Sequence, residues 1–379
     1  MLFAQIGKMH YCLLCMEKAI KDDYQATIFC NRLKKNYRRL RKWARKNETS
    51  CYRLYDRDIP EIPLAVDVFE LAPAGYSDAA EIAAAFTAIC AARSANDTSV
   101  ETAGAEQRYA VVFLYERPYE TAADAENRWL AQMAETAATV LGIANEHVIT
   151  KIRRRDKGGR QYAPVPAAAS PIAGIVVEHG ILFSVDLTGH VDAGLFFDHR
   201  PLRKRIKAMA QGATVLNLFC YTGSFSVYAA LGGAAHIDSV DWSHTYLAWA
   251  QKNCALNGIA VGNKLTFIRA DVGTFLAKTH RQYDIIILDP PTFSNSKSRA
   301  SVLDTNRDWA TLVFRSLTHL APGGTLFFST NSRRLSFDAE RIQRHFPELR
   351  LVITDITAET IPEDYRGKKI HRTWEIKRR

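Results

Sequence analysis

Residues Thr214–Gly258 read "TVLNLFCYTGSFSVYAALGGAAHIDSVDWSHTYLAWAQKNCALNG". An apolar run, Thr214–Phe219, reaches Gly223 and gives way to a helical patch at Phe225–Leu231. A second run, His236–Val240, ends at Asp241 and is followed by helical spacing over His244–Asn257. Strand and helix alternating over so short a span is the rhythm of a parallel sheet covered by helices. It continues downstream, with strands predicted at Leu265–Arg269, Asp284–Leu288 and Thr325–Ser329 and a helix at Trp309–Leu320. The expected architecture is α/β, a doubly wound and mostly parallel sheet. Ligands bind such sheets outside the carboxyl ends of the strands, so the loops after each strand are the place to look for function.

The first of these loops, Asn217–Ser226, carries the single Gly223 and lacks the three glycines of a dinucleotide fingerprint. A pyrophosphate cradle is not expected there. The second strand ends at Asp241, whose carboxylate can accept both hydroxyls of a ribose, and Trp242 adds an aromatic surface beside it. After the third strand comes Asp271, placed to accept from an adenine amino group. After the fourth comes the rigid corner "DPPTFSN", Asp289–Asn295. A ribose acceptor, an adenine acceptor and no phosphate site describe S-adenosylmethionine (SAM) better than a dinucleotide. Each residue also has a plainer reading: Asp241 and Asp271 as helix caps, Gly223 as a turn glycine.

Upstream the character differs. The segment Asn31–Lys46, "NRLKKNYRRLRKWARK", sets Leu33, Tyr37, Leu40 and Ala44 at helical spacing and carries nine Lys or Arg and no carboxylate. Such a helix has no internal ion pairs to offset its repulsion and gains most beside phosphates. The alternative is a solvated charged face. Arg38, Arg39, Arg41, Lys42 and Arg45 are the candidate nucleic-acid contacts, with Arg153, Arg154 and Arg155 from a second cluster, Lys151–Arg160. Tyr109–Tyr115 reads as a buried strand, Asp124–Leu141 as an amphipathic helix, and His179-Gly180 as the turn of a hairpin. Ala72–Gly104, rich in Ala, Ser, Thr and Asp, reads as a variable excursion.

The expected division is therefore an extension of unassigned role at 1–29, a basic helix with a mixed α/β nucleic-acid-binding domain at 30–190, and the doubly wound domain at 191–379. The whole chain carries 50 Lys and Arg against 40 Asp and Glu, which points to an anionic partner only where the excess clusters. Seven cysteines, an odd number without repeating spacing, fit a reducing cytoplasm. Cys12 and Cys15 have metal-ligand spacing, and Cys30 and Cys51 could join them, but the second C-x-x-C of a zinc ribbon is missing; no metal is expected. No run approaches the roughly 18 apolar residues of a membrane-spanning helix.

The motifs "NLFCYTGSFSVYAALGGA", "VDWSHTYLAWAQKNCALNG" and "DPPTFSNSK" closely resemble the SAM-dependent rRNA methyltransferase family that includes RlmK-type 23S rRNA guanine-N7 and RlmI-type cytosine-C5 enzymes. The resemblance extends to "GLFFDHRPLR" and, for the RlmK type, to "NRLKKNYRRLRKWARK", "CYRLYDRDIPEIPLAVD" and "IHRTWEIK", covering nearly everything from Cys30 onward. It implies a seven-stranded Rossmann-like methyltransferase sheet, an adjoining mixed α/β domain, SAM as donor and 23S rRNA or a pre-ribosomal particle as partner. By motif, Asn217, Phe219, Tyr221, Thr222 and Gly223 would surround the methionine portion, Asp241 and Trp242 the ribose and adenine, and Asp271 the adenine edge. Phe196, Asp198 and Arg200 would form a lid over the cofactor; Asp198 as a helix cap is the plainer alternative. Asp289 would both touch the cofactor and, with Pro290 and Pro291, face the target base. In many bacteria the RlmK-like module looks like half of a fusion with a guanine-N2 methyltransferase, so a separate enzyme of that kind is a conceivable partner.

The two relatives demand different chemistry. Cytosine C5 requires a thiolate to add to C6 first, and the matching cysteine follows the fifth strand in a segment like "FSCS". Here that segment is Phe328–Ser332, "FSTNS", with Thr330 and Asn331 where the thiol would be. Guanine N7 already carries an in-plane lone pair and needs chiefly alignment. The prolines of the corner fix the backbone beside Asp289. Phe293 could stack on an extruded base, or merely cover the core, and Asn331 could hydrogen-bond the base edge. The expectation is N7 methylation of guanine, with a non-catalytic RNA-binding protein as the reading from another class.

Overall fold

The structure is a computed structural model that describes residues 2–73, 81–82, 84–85, 107–116, 122–153, 171–294 and 303–379. The chain divides into two compact units, one holding residues 1–73 and 86–155, the other 74–85 and 156–379.

The first unit is built on helix α1, Leu2–Lys46, and a four-stranded sheet. Strands β1 (Cys51–Asp56), β2 (Leu64–Glu70) and β3 (Arg108–Tyr115) run antiparallel in order, and β4 (Val148–Arg153) lies parallel to β3. Parallel neighbours need a crossover, supplied here by helix α2, Ala123–Leu141. Phe29, Leu33, Leu40 and Ala44 of α1 pack with Trp129, Met133, Ala137 and Leu141 of α2 over Leu54, Val66, Val68 and Val112 of the sheet. Helix α1 is far longer than the expected Asn31–Lys46, and two residues assigned to the extension, Gln25 and Phe29, pack into this unit. Trp129 Nε1 donates to Gln25 Oε1 at 2.8 Å, and Phe29 is fully buried. The inward face runs 25, 29, 33, 40, 44; apolar periodicity misses its start because Gln25 is polar.

The second unit opens with the hairpin β5 (Ala173–Glu178) and β6 (Ile181–Asp186), turning at His179-Gly180. The hairpin groups with this unit, a difference from the expected division at residue 190. Two asparagines one helical turn apart explain it. On helix α5 (His244–Leu256) and just past its end, Asn253 Oδ1 accepts from the Ser184 N–H at 2.9 Å and Asn257 Oδ1 from the Leu182 N–H at 3.0 Å. Side-chain amides thus satisfy a strand edge that would otherwise be open.

A seven-stranded sheet follows, in the order β14-β15-β13-β10-β7-β8-β9. Its strands are β7 (Thr214–Leu218), β8 (His236–Asp241), β9 (Leu265–Arg269), β10 (Tyr283–Leu288), β13 (Leu320–Thr330), β14 (Leu351–Asp355) and β15 (Arg372–Arg378). β13, β10, β7, β8 and β9 are parallel, and β15 runs antiparallel to both β13 and β14. From β7 the chain moves outward through β8 and β9, then returns to place β10 on the other side of β7. That reversal is the topological switch point, where such sheets bind ligands. Helix α7, expected at Trp309–Leu320, spans Thr305–Leu317 because Asp304 caps it, accepting from the Asn306 N–H at 3.0 Å. Among the described residues no helix is long and apolar enough to cross a membrane.

Candidate active site

Beyond β7 the backbone turns in an unusual way. Phe219 (φ 58°) and Tyr221 (φ 50°) take left-handed conformations that side chains resist, and Gly223 (φ 73°) follows. A Cβ on Gly223 would lie 2.7 Å from the Ala250 Cβ, so helix α4 (Ser224–Leu231) can start only from a glycine. What holds the turn open is Asp241 at the end of β8. One of its oxygens accepts from the Tyr221 N–H at 3.0 Å, the other from the Ser243 N–H at 2.8 Å. Beneath the loop, Asn217 Nδ2 donates to Ser226 Oγ at 2.8 Å, and Ser226 is linked to Ser239 at 2.7 Å. Thr222, fully buried, donates to the Gly194 carbonyl at 2.6 Å.

The corner after β10 is held as firmly. Ser329 Oγ donates to Asp289 Oδ1 at 2.5 Å, and His199 Nε2 stands 3.3 Å from Asp289 Oδ2. Thr305 fixes the far side: its hydroxyl donates to the Pro291 carbonyl at 2.7 Å and its N–H to the Thr292 carbonyl at 3.1 Å. The Thr292 hydroxyl donates to Asn331 Oδ1.

These pieces enclose a cavity of about 380 Å³, within the range of small-molecule sites. It is lined by Phe196, Asp198, His199, Phe219, Tyr221, Asp241, Trp242, Ser243, Tyr246, Asp289, Pro290, Pro291 and Asn331. The aromatic side is continuous: Phe196 lies 5.2 Å from Tyr221, which meets Tyr246 edge-on at 4.5 Å. Phe196 is 42 % exposed, a large apolar ring left uncovered at the cavity. Three carboxylates, Asp198, Asp241 and Asp289, line the cavity, and among the described residues no Lys or Arg does. Such a lining suits a cationic ligand and opposes a phosphorylated one.

Ten of the residues singled out in the sequence thus meet at one cavity: Phe196, Asp198, Phe219, Tyr221, Asp241, Trp242, Asp289, Pro290, Pro291 and Asn331. Others stand apart from it. Asn217, Thr222 and Gly223 shape the loop from behind. Asp271 caps helix α6 (Val272–Lys278), its Oδ1 accepting from the Thr274 N–H at 3.0 Å, and does not line the cavity. Phe293 is half-buried in the two-strand pairing of β11 (Phe293–Ser294) with β12 (Leu303–Asp304), also outside the lining.

Arg200 differs most from the expected lid. It is 1 % exposed and bound at 2.9 Å to Glu178 Oε2 and at 3.0 Å to Asp364 Oδ1. Arg203 takes Glu178 from the other side at 2.8 Å, and the Tyr228 hydroxyl donates to it at 2.9 Å. Burial would raise the Glu178 carboxyl, but the two guanidiniums outweigh it and hold the pKa at about 2. Arg200 therefore braces helix α3 (Arg200–Met209) against the hairpin and does not line the cavity.

The lining residues that sequence reasoning missed are Ser243 and Tyr246. Ser243 and Tyr246 sit in the first turn of α5, right after Asp241, and Ser243 Oγ caps that turn by accepting from the Tyr246 N–H at 3.3 Å. His199 stands within the expected lid motif "FFDHR", where neither it nor Asp198 is required as a base; the structure sets it at the cavity beside Asp289. Of the basic residues, Arg38, Arg39 and Lys42 are exposed on α1, as are Lys34, Lys35 and Lys46, while Arg41, Arg45 and Arg153 are half-buried. At 100° per residue the six exposed cations fall within one 140° stripe. Arg154 and Arg155 lie outside the described residues.

Comparison with known proteins agrees with this construction. Residues 89–364 match the family model for S-adenosylmethionine-dependent methyltransferases. Ribosomal RNA large subunit methyltransferase K of Neisseria meningitidis serogroup B is 39 % identical over 94 % of this chain and 89 % of its own length. The K/L enzyme of Magnetococcus marinus is 36 % identical over 95 % of this chain but only 44 % of its own length, so the chain spans less than half of that longer relative. A structure from Streptococcus mutans, described as a SAM-dependent methyltransferase, shares the fold with a TM-score of 0.65 at 20 % identity, over 93 % of this chain and 81 % of that one. On its sequence and its fold, this chain belongs to the S-adenosylmethionine-dependent methyltransferase family.

Proposed function

We propose that the protein methylates N7 of a guanine in large-subunit ribosomal RNA, without a covalent enzyme intermediate. The rRNA substrate is supported by the names of relatives such as the N. meningitidis enzyme. The chemistry is supported chiefly by one observation: where a C5 enzyme needs a thiol, this cavity presents Asn331, and no described cysteine lines it. Cys220 and Cys254 are buried, and burial pushes both thiols up, Cys254 to about 12. Neither is a ready nucleophile.

Asp241 and Trp242 would take the ribose and adenine of the donor, and Phe196, Phe219 and Tyr221 its remaining length. When bound, SAM supplies an electrophilic sulfonium methyl; the N7 lone pair forms the new N–C bond as the C–S pair returns to sulfur, and positive charge passes to the purine. The chain's own contribution is to hold the parts in line and to meet that charge. Asp289, clamped by Ser329 and His199, is a fixed negative group beside the corner. The part of its attraction that grows as charge reaches the base accelerates the reaction. Asn331, whose Oδ1 accepts from Thr292, keeps its N–H groups for acceptors. Guanine presents O6 next to N7, whereas adenine presents an amino group there.

Phosphates would be met by the stripe Lys34, Lys35, Arg38, Arg39, Lys42 and Lys46 on α1. The test is incubation with methyl-labelled SAM and deproteinised 23S rRNA, followed by digestion to nucleosides. Label in 7-methylguanosine is expected. Label in 5-methylcytidine would support the C5 reading instead, and no label together with no SAM binding would support the non-catalytic one.

A further inference from the structure

Beside Asp289 lies a buried group of titratable residues that direct attack by N7 does not call upon. His199 is 6 % and His371 3 % exposed, and their rings stack at 4.6 Å with only 11° between planes. His371 Nδ1 donates to Asp198 Oδ2 at 3.1 Å, and its Nε2 lies 3.0 Å from the Thr360 hydroxyl, so both of its nitrogens are engaged. His199 differs: Nε2 reaches Asp289 Oδ2 at 3.3 Å, but Nδ1 is buried with no hydrogen-bond partner among the described residues. Although Asp198, His199 and His371 bring ligand atoms within 4.8 Å of one another, near-parallel rings cannot converge their in-plane lone pairs on one ion. This is a hydrogen-bonded stack.

The orphaned Nδ1 decides the protonation state. In an imidazolium both nitrogens carry protons, and His199 would then bury an unpaired N–H as well as a charge. In the neutral ring with its proton on Nε2, the donor faces a carboxylate and only a bare lone pair is left unpaired. The groups around the ring agree. Asp289 at the end of β10 and Asp198 on the preceding residue favour the cation. Burial itself opposes it, as do His371, just before β15, and Arg203 on α3, with Phe225 of α4 5.8 Å away as apolar cover. Burial is the largest influence and leaves His199 below the ordinary histidine value.

We propose that His199 is a positioning residue for the methyl-transfer step: as a neutral imidazole protonated on Nε2, it holds Asp289 Oδ2 opposite the Ser329 clamp, keeping the carboxylate fixed and its negative charge undiminished. A cationic His199 would cancel the field that Asp289 presents to the base. The reaction should then show an acid limb although its nucleophile has no proton to lose. The role of Asp289 toward a purine rests on the proposed function; the state of His199 and its hold on Asp289 do not.

The experiment has two arms. In the ligand-free protein with ¹⁵N-labelled histidine, NMR should find His199 neutral with its proton on Nε2 and titrating below the ordinary value of about 6.5. Asp289→Asn, which removes an anionic neighbour, should move that midpoint lower still. In the second arm, SAM affinity is measured by calorimetry and methyl transfer in single turnovers across pH. His199→Ala should slow transfer by about 10- to 100-fold, the scale of displacing a group by up to an ångström, with the SAM Kd changed less than about threefold. His199→Gln, whose amide N–H replaces Nε2–H but does not titrate, should restore most of the rate and lack the acid limb. A proton on Nδ1, a midpoint indifferent to Asp289→Asn, an acid limb surviving in His199→Gln, or SAM affinity falling in step with rate would each overturn the proposal. If His199→Ala does not fold, the NMR arm and His199→Gln still decide. If the product proves to be 5-methylcytidine, the reading of the reaction fails while the NMR arm judges His199 separately.

Discussion

The carboxylate of Asp241 accepts the backbone N–H of Tyr221 at 3.0 Å, tying the end of β8 to the strained turn after β7. One residue thereby serves two ends: it sustains the left-handed conformation of Tyr221 and lines the cavity, where the proposed function has it accept the ribose. Asp241→Ala should remove both, and the SAM Kd measured by calorimetry should rise by roughly 10- to 100-fold, the scale of one or two lost charge-assisted bonds. Asp241→Asn keeps one acceptor oxygen and should lose less.

Glu178 should govern acid stability. Its folded pKa of about 2 lies below the ordinary value of 4.5, so its contribution is complete above pH 4.5 and is lost as pH falls toward 2. Glu178→Gln leaves Arg200 and Arg203 short of a buried counter-charge and should cost about 3–5 kcal/mol at neutral pH, read from denaturant unfolding. The difference from the parent should shrink on acidification through that window.

How much of this was legible in the sequence depends on what each residue does with its side chain. Residues that present a side chain to the cavity at a strand end, such as Asp241, Trp242 and Asp289, announce themselves through strand-then-loop order. Asp271 shows the limit of that rule, since an aspartate after a strand serves a helix cap equally well. Arg200 enters the expected lid only through the family motif; its partners Glu178 and Asp364 are 22 and 164 residues away, beyond any local pattern. The left-handed turn at Phe219 and Tyr221 has no signature, because neither is a residue that prefers it. Helix α1 is foreshortened in the sequence reading for another reason: among the side chains described, its inward face begins with a glutamine.

The basic stripe on α1 should act through phosphate contact. Replacing Lys35, Arg39 and Lys42 by alanine should weaken RNA binding and reduce the slope of log K against log salt by up to about one per residue removed, measured by filter binding over a salt series. Helicity and thermal stability should change little, since these side chains are exposed.

Cysteine chemistry should be dispensable. Cys220→Ala and Cys254→Ala, both at buried positions outside the cavity lining, should retain methyl transfer within a fewfold if the proteins fold. RNA carrying 5-fluorocytosine, which traps C5 enzymes as covalent adducts, should leave no RNA-linked protein band on a denaturing gel.

The claim that guanine N7 is the nucleophile can be tested by changing one atom of the substrate. A 23S rRNA fragment that accepts label is transcribed again with 7-deazaguanosine triphosphate, which replaces N7 by a C–H group and keeps the Watson–Crick edge. Methyl transfer from labelled SAM should fall to background while SAM binding and RNA binding persist. Transfer to the 7-deaza RNA at the rate of the parent would contradict the account and move the reaction to another atom.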